Sequence, residues 1–381
     1  MEFAWTAAQK QFHDAVLRFA REKLNDDVLE RDREHRFPAR EWRLCGEFGV
    51  LGLCVPQEYG GMGLDHLTTA LALEALGQGC EDMGLVFAIA AHQLAVAQPI
   101  AEAGSEELKR RVLPRLCSGE WVGSNAITEA EAGSDVFALK ARAERVGDVY
   151  RVNGTKSYAS NGPVADLFLV YASSTPDHGY LGIDAFVILR GAPGVTVGQP
   201  IPKMGLHTCP ASSIYFEGVE VAAADRVGKE GGGAQIFTAS MQWERSCLFA
   251  AYVGAMQRQL DLVAEYASQR KQGRRAIGRN QAVSHRIANM KLRLESARLL
   301  LYRACWMLDQ GEDATVEVSM AKLAVSEAAV QGAIDAVQVF GAVGYSTESR
   351  IERMLRDAIP STIFSGTSEI QRNLIAARLG L

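Results

Sequence analysis

The sequence predicts an α–β–α chain: a helical N-terminal domain (1–120), a middle β domain (121–228) and a second helical bundle (229–381). Three observations carry this. The first third is long, apolar and rich in Ala and Leu. The character changes near Trp121 to short runs rich in Val, Ile, Phe and Tyr with turn residues between them. After "GKEGGG" a helical repeat returns. A chain of 381 residues is long for one core, so two or three domains are expected.

In the first third, "TTALALEALGQGCEDMGLVFAIAAHQLAVAQPIAEAG" reads as helix. "SEELKRRVLPRL" follows, with Ser105 placed to cap it and acids in its first turn. "VPQEYGGMGLD" is a loop punctuated by Pro and Gly. In the middle third, "VYRVNGTKSYAS" reads as a hairpin turning at Asn153-Gly154, and "DLFLVYAS", "DAFVILRG" and "SSIYFEGVEV" read as strands. In the last third, Val283, Ile287, Met290, Leu294, Ala297, Leu301 and Ala304 step 4-3-4-3-4-3, the seam of a helix bundle.

Composition narrows the function classes. Hydrophobic residues make up 48% and charged residues 22%, the balance of a globular protein in water. A net charge of −5 gives no global field for nucleic acid. No apolar run reaches the ~18 residues of a membrane span. The start, "MEFAWTAAQKQFHDAVLRFA", is an amphipathic helix pattern without the layout of a signal peptide, so a cytoplasmic location is expected. Seven cysteines are scattered singly, which argues against a disulfide framework and for buried small apolar side chains. The seven histidines are dispersed as well, and no metal site is expected.

The motifs, taken in order, resemble the acyl-CoA dehydrogenase flavoproteins across the whole chain: "VPQEYGGMGL", "AITEAEAGSD", "VNGTKSYASNG", "VFGAVGY" and "RDAIPSTIFSGTSEIQR". The fold this implies is an N-terminal α-helical bundle, a middle β-barrel domain and a C-terminal four-helix bundle. The cofactor it implies is FAD. A flavin needs an apolar wall and donors around its polar edge. Thr128 and Ser160 supply hydroxyls for that edge. Tyr158 supplies a wall where the family usually has Trp. Ser134 sits in a Gly-Ser-Asp turn suited to a polar ligand group. Ala126, Ile127 and Gly133 belong to the same signature, and Thr367 and Glu369 to the C-terminal one.

The resemblance also implies residues that reach the FAD of a neighbouring subunit: Arg270 and Gln281 in "RKQGRRAIGRNQ", and Gln338, Gly341 and Gly344 around "QVFGAVG". A homotetramer follows from it. The usual Phe-Gly of the first stretch is here Gly273-Arg274, a departure from the family pattern.

The implied reaction is α,β-dehydrogenation of an acyl thioester. A carboxylate takes the α-proton, the β-hydride goes to the flavin, and a backbone N–H polarises the thioester carbonyl. In the C-terminal signature a Glu often stands where this chain has Ser365. Serine keeps the backbone N–H that binds the carbonyl, but it is no base without an activator. A minority of the family, including isovaleryl-type dehydrogenases, carries the base on a C-terminal-domain helix. Here that helix is "FTASMQWERSCLFAAYVGA", and Glu244 is its carboxylate, with Trp243 and Arg245 beside it toward the acyl pocket. Desolvation there raises a carboxyl into the range of a working base.

"EDMGLVFAIAAHQ", "SMQWERSCLFAA" and "TIFSGTSE" are similar to the more specific group of prolyl-carrier-protein dehydrogenases of pyrrole and antibiotic biosynthesis. These oxidise an L-prolyl group, held on the phosphopantetheine of a peptidyl carrier protein, to a pyrrolyl-2-carboxyl thioester. The carrier protein is then a partner, and electron-transfer flavoprotein or oxygen is the acceptor. The alternatives are a short branched-chain acyl-CoA dehydrogenase using the same Glu244, and a non-catalytic flavoprotein.

Overall fold

The computed structural model describes residues 5–381. The N-terminal part is helical: α1 (Ala7–Lys23), α2 (Val28–Glu34), α3 (Ala39–Phe48), α4 (His66–Gly79), α5 (Met83–His92), α6 (Gln98–Ala103) and α7 (Glu106–Cys117). Thr6 opens α1 with a reciprocal capping box to Gln9. Ser105 caps α7 by accepting from the Leu108 N–H. The long apolar stretch of the sequence breaks at Cys80, where the chain turns extended, and restarts when Asp82 caps α5. α5 runs into α6 through a π turn, Gln93–Ala97.

The middle part is one mixed sheet: β1 (Gly123–Ala126), β2 (Arg142–Val146), β3 (Val149–Ser160), β4 (Leu167–Ser173), β5 (Ile183–Leu189), β6 (Val195–Val197), β7 (Ala211–Ala222) and β8 (Arg226–Val227). Its order is β6-β7-β3-β2-β4-β5-β8, with β1 parallel to β4. One face of β4 (Leu167, Leu169, Tyr171) packs on the helices, and the other (Phe168, Val170, Ala172) forms the sheet's own core.

The expected hairpin turn at Asn153-Gly154 is absent. β3 runs straight through it, and the turn between β2 and β3 falls at Gly147-Asp148. The pair forms a bulge against β7 instead. Asn153 accepts from the Gly218 N–H at 2.7 Å, and a Cβ on Gly154 would come 2.6 Å from that of Ala141. Close approach of Ala141, and not chain reversal, requires the glycine.

The C-terminal part holds α8 (Gly233–Trp243), a second π turn (Glu244–Leu248), α9 (Phe249–Gln269), α10 (Gln281–Asp309), α11 (Thr315–Phe340), α12 (Ala342–Tyr345), α13 (Arg350–Ala358) and α14 (Ser368–Arg378). Met290, Leu294, Ala297, Leu301 and Ala304 are buried along α10, as the heptad-like seam predicts. A single apolar core joins α4 and α5 to α9, α10 and α11. Two continuous helical stretches, 83–103 and 315–340, are long and apolar enough to cross a membrane; 89% of the first window and 44% of the second lie buried inside the protein. All seven cysteines are unpaired, and six are buried.

Candidate functional site

The helix α8 presents Phe237 and Met241 to the sheet, both buried against Tyr171 and its neighbours. The next positions of that face bring the chain to Glu244, where the helix widens into the second π turn. Such turns insert a residue and re-aim side chains, and they recur at functional sites. Glu244 is 8% exposed. Burial pushes its carboxyl up to about 7, with Ser365 and Arg245 pulling the other way.

Ser365 meets it from the turn before α14. Its Oγ donates to Glu244 Oε2 at 2.7 Å. The serine backbone is left-handed, φ 54°. Its carbonyl is tied down by Arg245 Nε at 2.8 Å and Gln371 Nε2 at 3.3 Å, and Gln371 also holds the Gly366 carbonyl at 3.0 Å. Among the described residues the Ser365 N–H donates no hydrogen bond. The adjoining wall is aromatic: Phe364 packs on Phe87 (4.7 Å between centroids), Phe249 (5.5 Å) and Tyr252 (6.1 Å). Trp243 stacks on His66 at 3.6 Å, whose Nδ1 bonds Asp309. Arg245 serves the serine carbonyl.

A second group of expected residues gathers on the sheet. The Ser157 N–H donates to the Thr128 carbonyl at 2.8 Å, and the Ser124 hydroxyl to the Ser160 carbonyl at 2.7 Å. Ala126, Ile127 and Thr128 therefore lie beside Tyr158 and Ser160. Tyr158 is 66% exposed with φ 55°, an uncommon backbone for an aromatic residue. Gly133 and Ser134 lie in an exposed turn.

A third group lies at one end of the C-terminal bundle. Arg270 follows α9 and Gln281 opens α10, joined by the bond from the Ile277 N–H to the Arg270 carbonyl at 2.8 Å. Gln338 and Gly341 end α11, held near α9 by stacking of Phe340 on Tyr266 at 4.0 Å. Arg270, Gln281, Gln338 and Gly341 are exposed; Gly344 is buried. The altered Gly273-Arg274 pair is the two-residue turn of a small hairpin, β9 (Lys271–Gln272) and β10 (Arg275–Ala276). Thr367 caps α14 through the Ile370 N–H, and Glu369 is exposed in the first turn.

Three residues that sequence reasoning passed over belong to this region. Lys156 is wholly buried; its Nζ bonds Glu129 Oε1 at 2.7 Å and the Ile127 carbonyl at 3.1 Å, which fixes the segment carrying Thr128. Burial lowers its ammonium to about 8. Asn125 Oδ1 and the Tyr171 hydroxyl are buried without a hydrogen-bond partner. Burial, then the nearby Glu244, pushes the Tyr171 hydroxyl up. Only Asn125 had a usable signal, its place directly before Ala126.

Comparison with known proteins accounts for this arrangement. The N-terminal, middle and C-terminal domain models of acyl-CoA dehydrogenases match residues 6–120, 124–219 and 231–380. The chain belongs to the acyl-CoA dehydrogenase family. Within it, the chain is 51% identical to the L-prolyl peptidyl-carrier-protein dehydrogenase of Pseudomonas fluorescens, covering 100% of both chains. It is 43% identical to the enzyme of the same description from a Serratia species, covering 100% of this chain and 99% of the other. The solved structure of PigA with FAD and proline superposes with a TM-score of 0.98 at 43% identity, covering 100% of each chain.

Proposed function

We propose that this protein is an FAD-dependent dehydrogenase of L-prolyl groups carried as thioesters on a peptidyl carrier protein, yielding the pyrrolyl-2-carboxyl thioester. The carrying observation is the buried Glu244 carboxyl, poised near 7 beside a serine where a family carboxylate often stands. The relatives named for prolyl-carrier oxidation supply the substrate class.

The residues on the sheet suit FAD. The outward Tyr158 ring offers an aromatic wall, Thr128 and Ser160 offer hydroxyls on the neighbouring backbone, and Asn125 Oδ1, two residues before Ile127, is an unpartnered polar acceptor. Ala126, Ile127, Gly133 and Ser134 complete that edge, and Arg270, Gln281, Gln338, Gly341, Gly344, Thr367 and Glu369 serve the remainder, part of it in a neighbouring subunit. When bound, FAD supplies a two-electron acceptor for the β-hydride.

The chain's own groups do the rest. Glu244 takes the proton from the prolyl α-carbon. The unengaged Ser365 N–H meets the thioester carbonyl and stabilises the charge that develops there. Arg245 and Gln371 hold that N–H in place through the serine carbonyl. The aromatic wall of Phe87, Phe249 and Phe364 keeps water from the carbanion-like centre. Four electrons leave in all, so Glu244 must release its first proton before the second oxidation. The reading includes a cytoplasmic homotetramer that passes electrons to electron-transfer flavoprotein or oxygen.

The test pairs wild type with Glu244→Gln, both loaded with FAD, under anaerobic conditions with prolyl-loaded carrier protein. Flavin absorbance bleaches in wild type and stays in the variant, by a rate factor of about 10³ or more. Bleaching by isovaleryl-CoA and not by the prolyl carrier would move the substrate to branched acyl-CoA. Equal bleaching in both proteins would remove Glu244 from the reaction.

A further inference from the structure

We infer that Ser365 is the positioning residue of the base: its hydroxyl aims the Glu244 carboxylate and holds it ionised, so the serine is the counterpart of a relocated base and not the remnant of a lost one. This rests on the reading of Glu244 given above.

The geometry carries it. Among the described residues the bond from Ser365 is the one hydrogen bond the Glu244 carboxylate accepts, at 2.7 Å. It fastens Oε2 and leaves Oε1 without a hydrogen bond among the described residues. The donor is itself rigid. Arg245 and Gln371 bind its carbonyl, and Gln371 also binds the next carbonyl. One residue therefore presents its N–H for the thioester oxygen and its Oγ for the base, which fixes the distance between the two tasks.

The backbone supports the same conclusion. Ser365 sits at φ 54°, where a residue with a Cβ is strained and glycine is not. Strain of this kind persists where the side chain has a task. A second carboxylate at this position would face Glu244 and raise the pair's proton affinity. A hydroxyl does the opposite. It donates to the carboxylate and accepts from the carboxyl, so the contact survives when the α-proton arrives and when it leaves.

Among the other groups around Glu244, Arg245 also favours the ionised carboxylate, but none donates a hydrogen bond to it. Arg245, on the same turn, has its Nε engaged by the serine carbonyl. Tyr171 approaches from β4 with no hydrogen-bond partner. Lys322, from α11, lies over the Phe249 ring at 5.2 Å, on the Arg245 side. Losing the Ser365 hydroxyl leaves the carboxylate desolvated and without a donor.

The experiment is the pH profile of anaerobic flavin bleaching by prolyl-loaded carrier protein, in wild type, Ser365→Ala, Ser365→Gly and Glu244→Gln. Both serine variants keep the backbone N–H, and glycine also relieves the strain. The expected result is an acid limb moved up by about one pH unit in both, with a rate about ten-fold lower at pH 6.5 that approaches wild type at high pH. FAD content, measured alongside, stays at the wild-type value. An unmoved limb overturns the inference. So does an equal loss at every pH, which marks a structural role only. Active Glu244→Gln defeats the base assignment and this inference with it, whereas inactive Glu244→Gln with unmoved serine variants defeats this inference alone.

Discussion

A carboxyl that titrates near 7 is a cost to the fold. Glu244 has a folded value of about 7 against an ordinary 4.5. Between those values the folded chain holds a proton that the unfolded chain has released, so stability is highest below pH 4.5 and falls as pH rises toward 7. The loss above pH 7 is about 3 kcal/mol. Glu244→Gln removes the penalty and is therefore expected to melt several degrees above wild type at pH 8, with the gap closing at pH 5; thermal unfolding at both values checks it. With Glu244 as the proposed base, activity is expected to follow the opposite slope, because a base works only when ionised: the bleaching rate should fall about ten-fold per pH unit below 7. Glu244 was legible in the sequence because an acid inside an apolar helix needs a reason. Lys156 was not. Its partner Glu129 lies 27 positions away, and only the pairing of distant strands shows that this lysine is interior. Tyr171 was hidden differently, since a strand tyrosine among Leu and Val reads as core until its hydroxyl is found without a partner.

At the scale of elements, the helix crossing beneath the site depends on missing side chains. α4 and α9 meet at Gly77 and Gly254. A Cβ on Gly254 would lie 1.9 Å from the Glu74 carbonyl oxygen, and one on Gly77 1.9 Å from that of Ala251. Neither obstacle is a flexible side chain, so the helices must part to admit a methyl. Gly254→Ala is expected to cost about 1–3 kcal/mol or more from this overpacking. Gly332→Ala is the control, because its nearest neighbour is the Gln259 side-chain oxygen at 3.1 Å, which can turn aside. Denaturant titration of the two variants should show a large midpoint shift for the first and little for the second. These glycines read in sequence as weak points of a helix; what they contribute is contact distance. The π turn at Glu244 was equally unreadable, since its local residues suit an ordinary helix. It is set by how α8 docks on the sheet and α9 on the bundle.

Across the whole molecule, most of the residues expected at the cofactor fall into two separate sets. One lies on the sheet around Thr128 and Tyr158, the other at the end of the bundle around Arg270, Gln281 and Gln338. Among the described residues no side-chain hydrogen bond joins Arg270, Gln281 or Gln338 to the sheet set. The order of domains was legible, and so were the members of each set, because each lies in a short motif. On the proposed reading a surface from another copy joins them. If one FAD is held by the sheet set of one chain and the bundle set of another, assembly and cofactor retention are linked by mass action. Light scattering at micromolar concentration is expected to give four chains of 41.3 kDa. On dilution the flavin-to-protein absorbance ratio of the filtered protein should fall together with the mass, well before secondary structure is lost. Arg270→Ala is expected to lower FAD occupancy while leaving the pH limb of the remaining flavin-loaded enzyme at its wild-type position, because Arg270 lies at the α9 end remote in sequence from the Glu244 turn. Retention of FAD by a dilute monomer would instead place the whole cofactor on one chain and release the bundle set from that role.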